Sequence, residues 1–201
     1  MEHLTLQPIR SVGGQIQLPG SKSLSNRVLL LSALAQGDTK VSNLLDSDDT
    51  RHMIAALRSL GTSLQLSEDG THCLVQGLGG PFPARQADLY LGASGTDIRL
   101  LCSAVCLGQG VFTLSGEPRM AERPIKDLVE ALTILGASIE YLQEEGFPPL
   151  RINASGLGGS RVSIRGNISS QYLTSLLSAA PLSRQKLRID VEGELVSKPY
   201  I

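Results

Sequence analysis

GSKSLSNRVLLLSAL at 20–34, GASGTDIRLLCSAV at 92–105 and GNISSQYLTSLLSA at 166–179 decide how this chain folds. Each opens on glycine and small hydroxyl residues, then continues as an apolar run of helical length. The leading glycines, Gly20, Gly92 and Gly166, stand 72 and 74 residues apart (92 − 20 and 166 − 92). Self-similarity at a nearly fixed period marks a repeated supersecondary unit. Ser, Thr and Asn at these openings suit helix N-termini, where their oxygens accept bonds from N–H groups that have no partner within the helix.

Working outward, each opening follows a short strand-like run, at 15–18, 87–91 and 161–164. A second such run follows each helix, at 40–44, 110–114 and 186–191. In the first two repeats another helix comes next, ending on the matching phrases ALRSLG (56–61) and ALTILG (131–136), whose last glycine suits a helix C-cap. Strands at 63–67 with 72–76, and at 138–142 with 149–152, are joined by the turn sequences SEDG and QEEGF and complete the unit. The pattern is βαβαββ, an α/β fold built of tandem units at roughly 19–80, 81–157 and 158–201. The third copy runs strand, helix, strand to Tyr200 and Ile201, without its second helix and hairpin. That predicts a fragment with an incomplete third unit.

Composition narrows the function. With 201 residues, 41% of them hydrophobic, the chain can bury a substantial core. Its 18 Lys and Arg against 19 Asp and Glu, net −1, argue against a general nucleic-acid or membrane-surface role. The longest apolar stretch, 28–35, is interrupted by Ser32 and too short to span a bilayer. The opening MEHLTLQPIR has no signal-peptide pattern. Cys73, Cys102 and Cys106 form no metal-ligand spacing and suit a reducing cytoplasm, the last two as core residues. His3, His52 and His72 are scattered, so neither a metal site nor a Ser-His-Asp triad is expected.

The chemistry collects at the helix starts. Free N–H groups and the helix dipole favour phosphate or carboxylate there. Lys22 and Arg27 flank the first start, Arg99 lies early in the second helix, and GEPRMAERPIKDL adds Arg119 and Arg123 just before Pro124. Arginine offers a planar fork to phosphate oxygens; lysine offers a point charge that can also move a proton. A plain reading makes each serine a cap and each arginine a solvated surface group. The repeats place Lys22, Arg27 and Arg123 at equivalent ends, which favours a site for a small, multiply anionic molecule. The residues alone do not name a reaction.

LPGSKSLSNRVLLLSALAQG, NLLDSDDTRHM, GEPRMAERPI, SSQYLTSLLSAAPL and LVSKPYI closely resemble the bacterial 5-enolpyruvylshikimate-3-phosphate synthase family, over the whole chain. The resemblance implies an inside-out α/β globule of three βαβαββ units around a pseudo-threefold axis. It is one of two such globules in proteins about twice this length, and the opening residues 1–18 belong to the other, C-terminal, globule. It implies transfer of the enolpyruvyl group from phosphoenolpyruvate to shikimate 3-phosphate without metal or organic cofactor. Lys22 then matches the lysine that contacts both substrates and assists proton transfer. Ser23, Arg27, Ser169, Ser170, Gln171, Ser197 and Tyr200 match shikimate-3-phosphate ligands. Gly95, Arg123 and Gln171 match phosphoenolpyruvate ligands.

Two departures from the family pattern stand out. The usual Asn-Ala-Gly-Thr-Ala-Met-Arg-Pro reads Ala93-Ser94-Gly95-Thr96-Asp97-Ile98-Arg99-Leu100 here. Ala93 has no amide side chain, Leu100 restores a backbone N–H, and Asp97 adds an anion to the helix's first turn, favourable for the dipole but unwelcome near an anionic substrate. The segment Ala93, Ser94, Thr96, Asp97 and Leu100 lines the glyphosate site in the family, so reduced glyphosate sensitivity is expected. The family's acidic general acid/base residues lie in the other globule, so this chain is expected to need a complementary C-terminal fragment. A related enzyme, UDP-N-acetylglucosamine enolpyruvyl transferase, calls for Lys-Asn after the first strand and a reactive loop cysteine. This chain has Lys22-Ser23 and no cysteine over 117–123. A non-catalytic phosphosugar-binding module is the reading from a different class.

Overall fold

The computed structural model describes residues 3–201; Met1 and Glu2, the start of the expected 1–18 strand region, lie outside the described residues. The first unit contains α1 (Lys22–Leu34), β1 (Gln36–Val41), α2 (Asp48–Ser59), β2 (Ser63–Leu66) and β3 (Cys73–Leu78). The second contains β4 (Gln86–Tyr90), α3 (Gly95–Cys106), β5 (Gly110–Ser115), α4 (Lys126–Ile134), β6 (Ser138–Tyr141) and β7 (Leu150–Ala154). The third contains β8 (Arg161–Arg165), α5 (Ser170–Ala179) and β9 (Arg188–Glu192).

The sheets carry the repeat in their pairing. In the second unit the order is β4-β5-β7-β6, with β4 and β5 parallel (Leu89 opposite Leu114) and the remaining pairs antiparallel (Phe112 opposite Ile152). The first unit repeats this as β1-β3-β2, all antiparallel, without a parallel neighbour on the outer edge of β1. The third shows only the opening parallel pair, β8 with β9. The expected strand at 15–18 does not form: residues 3–21 hold no regular element, and Leu4, Leu6, Ile9, Val12, Ile16 and Leu18 are exposed. A strand gains its hydrogen bonds only from a ladder partner, and this run pairs with none of the described strands. The run expected at 40–44 forms at Gln36–Val41 instead, because α1 ends directly into extended backbone at Ala35. Asn43, left-handed at φ 55°, then turns the chain away.

At the centre lies α3, packed on α1 and α5, with every residue but Arg99 buried. Leu29, Leu30, Met53, Leu57, Phe112, Leu132, Ile152 and Tyr172 are fully enclosed in the core that contains it. Each such side chain contributes about 1.5–3 kcal/mol through removal from water. The tight join is at Gly20, where an added Cβ would lie 2.1 Å from the Asn43 carbonyl oxygen, so only glycine lets the start of α1 sit against the loop before α2. All three cysteines are buried and free. Burial raises their thiol pKa values, to about 12 for Cys106. Among the described residues no helix is long and apolar enough to cross a membrane, and no group of three His, Cys, Asp or Glu could hold a metal ion.

Candidate anion site at the helix starts

Ser21 caps α1, its hydroxyl accepting from the Leu24 N–H, and Lys22 is the first helical residue. The Lys22 ammonium pairs with Asp49 at 2.9 Å while its side chain remains 51% exposed, so it can leave that partner for a ligand. Asp49 is held in the first turn of α2 by a capping box between Ser47 and Thr50. Arg27 lies buried one turn along α1. Its Nη1 donates to the Ser23 carbonyl at 2.9 Å, its guanidinium stands 5.5 Å from the Tyr200 ring, and its Nε has no partner. Burial lowers the Arg27 pKa, opposed by Tyr200. Ser197, left-handed at φ 52°, opens the short turn Lys198–Tyr200, and the Tyr200 carbonyl accepts from Thr174 Oγ1 of α5 at 3.1 Å.

Ser94 caps α3 by accepting the Asp97 N–H at 3.3 Å. Arg123 lies across this start: a Cβ on Gly95 would come within 3.0 Å of its Nη1. Asp97 corrects a sequence expectation. It is completely buried and neither carboxylate oxygen has a partner. Burial pushes its pKa up to about 8, opposed by the nearby Ser94 hydroxyl, which lies outside good hydrogen-bond geometry, and by the Lys22 ammonium, with the Asp49 carboxylate adding. At neutral pH it is a protonated, uncharged acid rather than an anion favoured by the helix dipole.

Ser169 caps α5 and accepts the Gln171 N–H at 3.2 Å, and Ser170 is buried behind it. The Gln171 carboxamide reaches across to α3: Arg99 Nη1 donates to its Oε1 at 2.5 Å, and its Nε2 donates to Thr96 Oγ1 at 3.1 Å. Arg99 also donates through Nη2 to the Pro124 carbonyl at 2.9 Å and lies 5.1 Å over the Tyr172 ring. The Tyr172 hydroxyl donates to the same carbonyl at 2.7 Å.

The expected site residues thus gather in four small groups: Lys22 with Asp49, beside Asp97; Gly95 with Arg123; Thr96 with Gln171; and Arg27 with Tyr200. Ser197 is exposed beside the last of these, and Ala93 half-buried just ahead of the Ser94 cap. Leu100 is enclosed in the core, and Arg119 is exposed in the turn at Pro118–Glu122. Sequence reasoning did not single out Asp49, which pairs with Lys22 from α2 and is signalled only by the acidic run DSDD, or Tyr172, whose hydroxyl holds the loop that carries Arg123. Arg99, expected among the cations at the helix starts, is tied into α5 instead of standing open to a ligand.

The EPSP synthase (3-phosphoshikimate 1-carboxyvinyltransferase) family model matches residues 6–201. Curated relatives named 3-phosphoshikimate 1-carboxyvinyltransferase include those of Marinomonas sp. (strain MWYL1), 58% identical over 201 residues, and Vibrio vulnificus (strain YJ016), 59% identical over 202. Both alignments span 100% of this chain and 47% of the relative, so the chain covers about half the length of these relatives. Among solved structures, an EPSP synthase from Acinetobacter baumannii superimposes with a TM-score of 0.80 at 27% identity, over 90% of this chain and 41% of that one. The α/β architecture, the capped helix starts and the sequence match agree, and the chain belongs to the EPSP synthase family.

Proposed function

We propose that this chain supplies the N-terminal half of an enzyme that transfers the enolpyruvyl group of phosphoenolpyruvate to the 5-hydroxyl of shikimate 3-phosphate. The observation that carries this reading is the gathering of Lys22, Arg27, Arg123 and Gln171 at the starts of α1, α3 and α5, on a chain of this family. Ser23, Arg27, Ser169, Ser170, Gln171, Ser197 and Tyr200 bind shikimate 3-phosphate, and Lys22, Gly95, Arg123 and Gln171 bind phosphoenolpyruvate. In the addition step the 5-hydroxyl gives up its proton as its oxygen bonds to C2 of phosphoenolpyruvate, whose methylene takes a proton to become a methyl group, and a tetrahedral intermediate forms. Elimination then breaks the C–O bond to phosphate and returns a proton from the methyl group. Lys22 is the chain's own group for moving a proton, and Arg27 and Arg123 hold the anionic charges in place.

The remaining acid/base and cationic groups come from a complementary C-terminal portion, supplied as a second chain or as a continuation of this one. Residues 1–18 dock on that portion, which the exposed Leu4, Leu6, Ile9, Val12, Ile16 and Leu18 support. The enzyme works in the cytoplasm. Ala93 in place of asparagine weakens glyphosate binding, so low-micromolar glyphosate leaves the complemented enzyme active. The test is co-expression with the C-terminal portion of a relative in a strain lacking this activity. Growth is restored by the pair and by neither half alone. Turnover by this chain alone would overturn the need for a partner. Calorimetric binding of shikimate 3-phosphate without rescue would make the chain a phosphosugar-binding module instead.

A further inference from the structure

Arg99 is the one residue of α3 that is not buried outright, yet its guanidinium is committed inside the molecule. One arm donates to Gln171 Oε1, the other to the Pro124 carbonyl, and the plane lies over Tyr172. A guanidinium has donors only, so the carboxamide facing it must present oxygen. That choice turns Nε2 toward Thr96, where one of its two hydrogens is used and the other remains for a ligand. The second arm grips the carbonyl one residue beyond Arg123, which Tyr172 grips as well.

We propose that Arg99 is a positioning residue that presets both the Gln171 carboxamide and the backbone beside Arg123, so that each meets an anionic ligand as an aimed donor. The inference rests on the anion-site reading above. Without Arg99 the carboxamide has two orientations of similar energy. The flipped one turns a lone pair toward the anion, replacing a hydrogen bond with repulsion. A lysine at 99 could keep one of the two bonds but not the fork.

Two measurements test this. In the full 201-residue chain with 15N-labelled glutamine, the Gln171 side-chain amide gives slowly exchanging resonances with a nuclear Overhauser contact to Thr96. Arg99→Met averages that signal. A freely averaged Gln171 amide in the unaltered chain overturns the proposal whether or not the variant folds. In the complemented enzyme, Arg99→Met raises KM for phosphoenolpyruvate about tenfold to a hundredfold with a smaller change in kcat. Arg99→Lys recovers part of the loss. The Arg99→Met effect shrinks at least threefold in a Gln171→Ala background, and an undiminished effect there also overturns the proposal. If the unaltered complemented enzyme fails to turn over, the proposed reaction falls, while the amide measurement still decides the role of Arg99.

Discussion

The first turns of α2 and α3 carry the same residue type at the same kind of position, with opposite consequences. In α2, Asp48 and Asp49 face the positive end of the helix dipole and find cations: Asp49 pairs with Lys22 and Asp48 with Arg51. Both stay in reach of water. In α3, Asp97 has the same dipole to face, yet it is enclosed on all sides and has no partner on either oxygen. A dipole contributes a few tenths to about 1 kcal/mol, and desolvating a carboxylate costs several. Burial therefore decides, and Asp97 holds its proton. An acidic residue at a helix start favours the helix only while solvent or a cation remains beside it.

The largest effect that could break this contrast is at Asp97 itself. With the folded pKa raised to about 8 from an ordinary value of 3.8, the folded state holds a proton that the unfolded state has released. Stability must therefore fall as pH rises from about 4 to 8, with the cost absent below that window and complete above it. Asp97→Ala removes the cost, which at about 1.4 kcal/mol per pKa unit amounts to about 6 kcal/mol at pH 8.5, less the cost of the small cavity it leaves, and to little at pH 4. Urea denaturation at the two values measures it. An unchanged pH profile would mean that Asp97 is charged in the folded chain.

A smaller effect separates the caps. Ser47→Ala at the start of α2 should cost about 1 kcal/mol, because Ser47 is only half-buried and water can take the place of its hydroxyl even though Thr50 is buried. Ser94→Ala at the start of α3 should cost about 1 kcal/mol more, because the Asp97 N–H it serves is buried and finds no substitute. Equal losses in thermal unfolding would show that both starts are equally hydrated. The smallest effect belongs to Asp49→Asn. Its ion pair with a half-exposed lysine changes stability by less than about 1 kcal/mol. Removing that like charge should still lower the pH at which the Asp97 carboxyl titrates, followed by its 13C shift.

Much of the fold was legible because the repeat shows itself three times. Strands read at 63–67, 138–142 and 161–164 form at Ser63–Leu66, Ser138–Tyr141 and Arg161–Arg165. The run at 15–18 misled because alternation describes a strand's faces and says nothing about whether a ladder partner lies beside it. The geometry of the candidate site was legible in its parts. Serine caps and Lys22 follow from local rules that act within one turn. The state of Asp97 and the inward turn of Arg99 depend on α3 being surrounded by α1 and α5. A helix buried on nearly every face carries no apolar stripe from which its neighbours could be read.

The three enclosed cysteines make the chain its own clock for opening. Thiol reagents attack the thiolate, and here each sulfur is shielded while burial keeps its proton on at neutral pH. Cys102 and Cys106 lie on the central helix α3, whereas Cys73 lies on β3 in the sheet of the first unit. Alkylation can therefore proceed only as fast as these two regions come apart. Comparing the rate at Cys73 with that at the α3 pair reads, without any added probe, whether the first sheet loosens before the centre does.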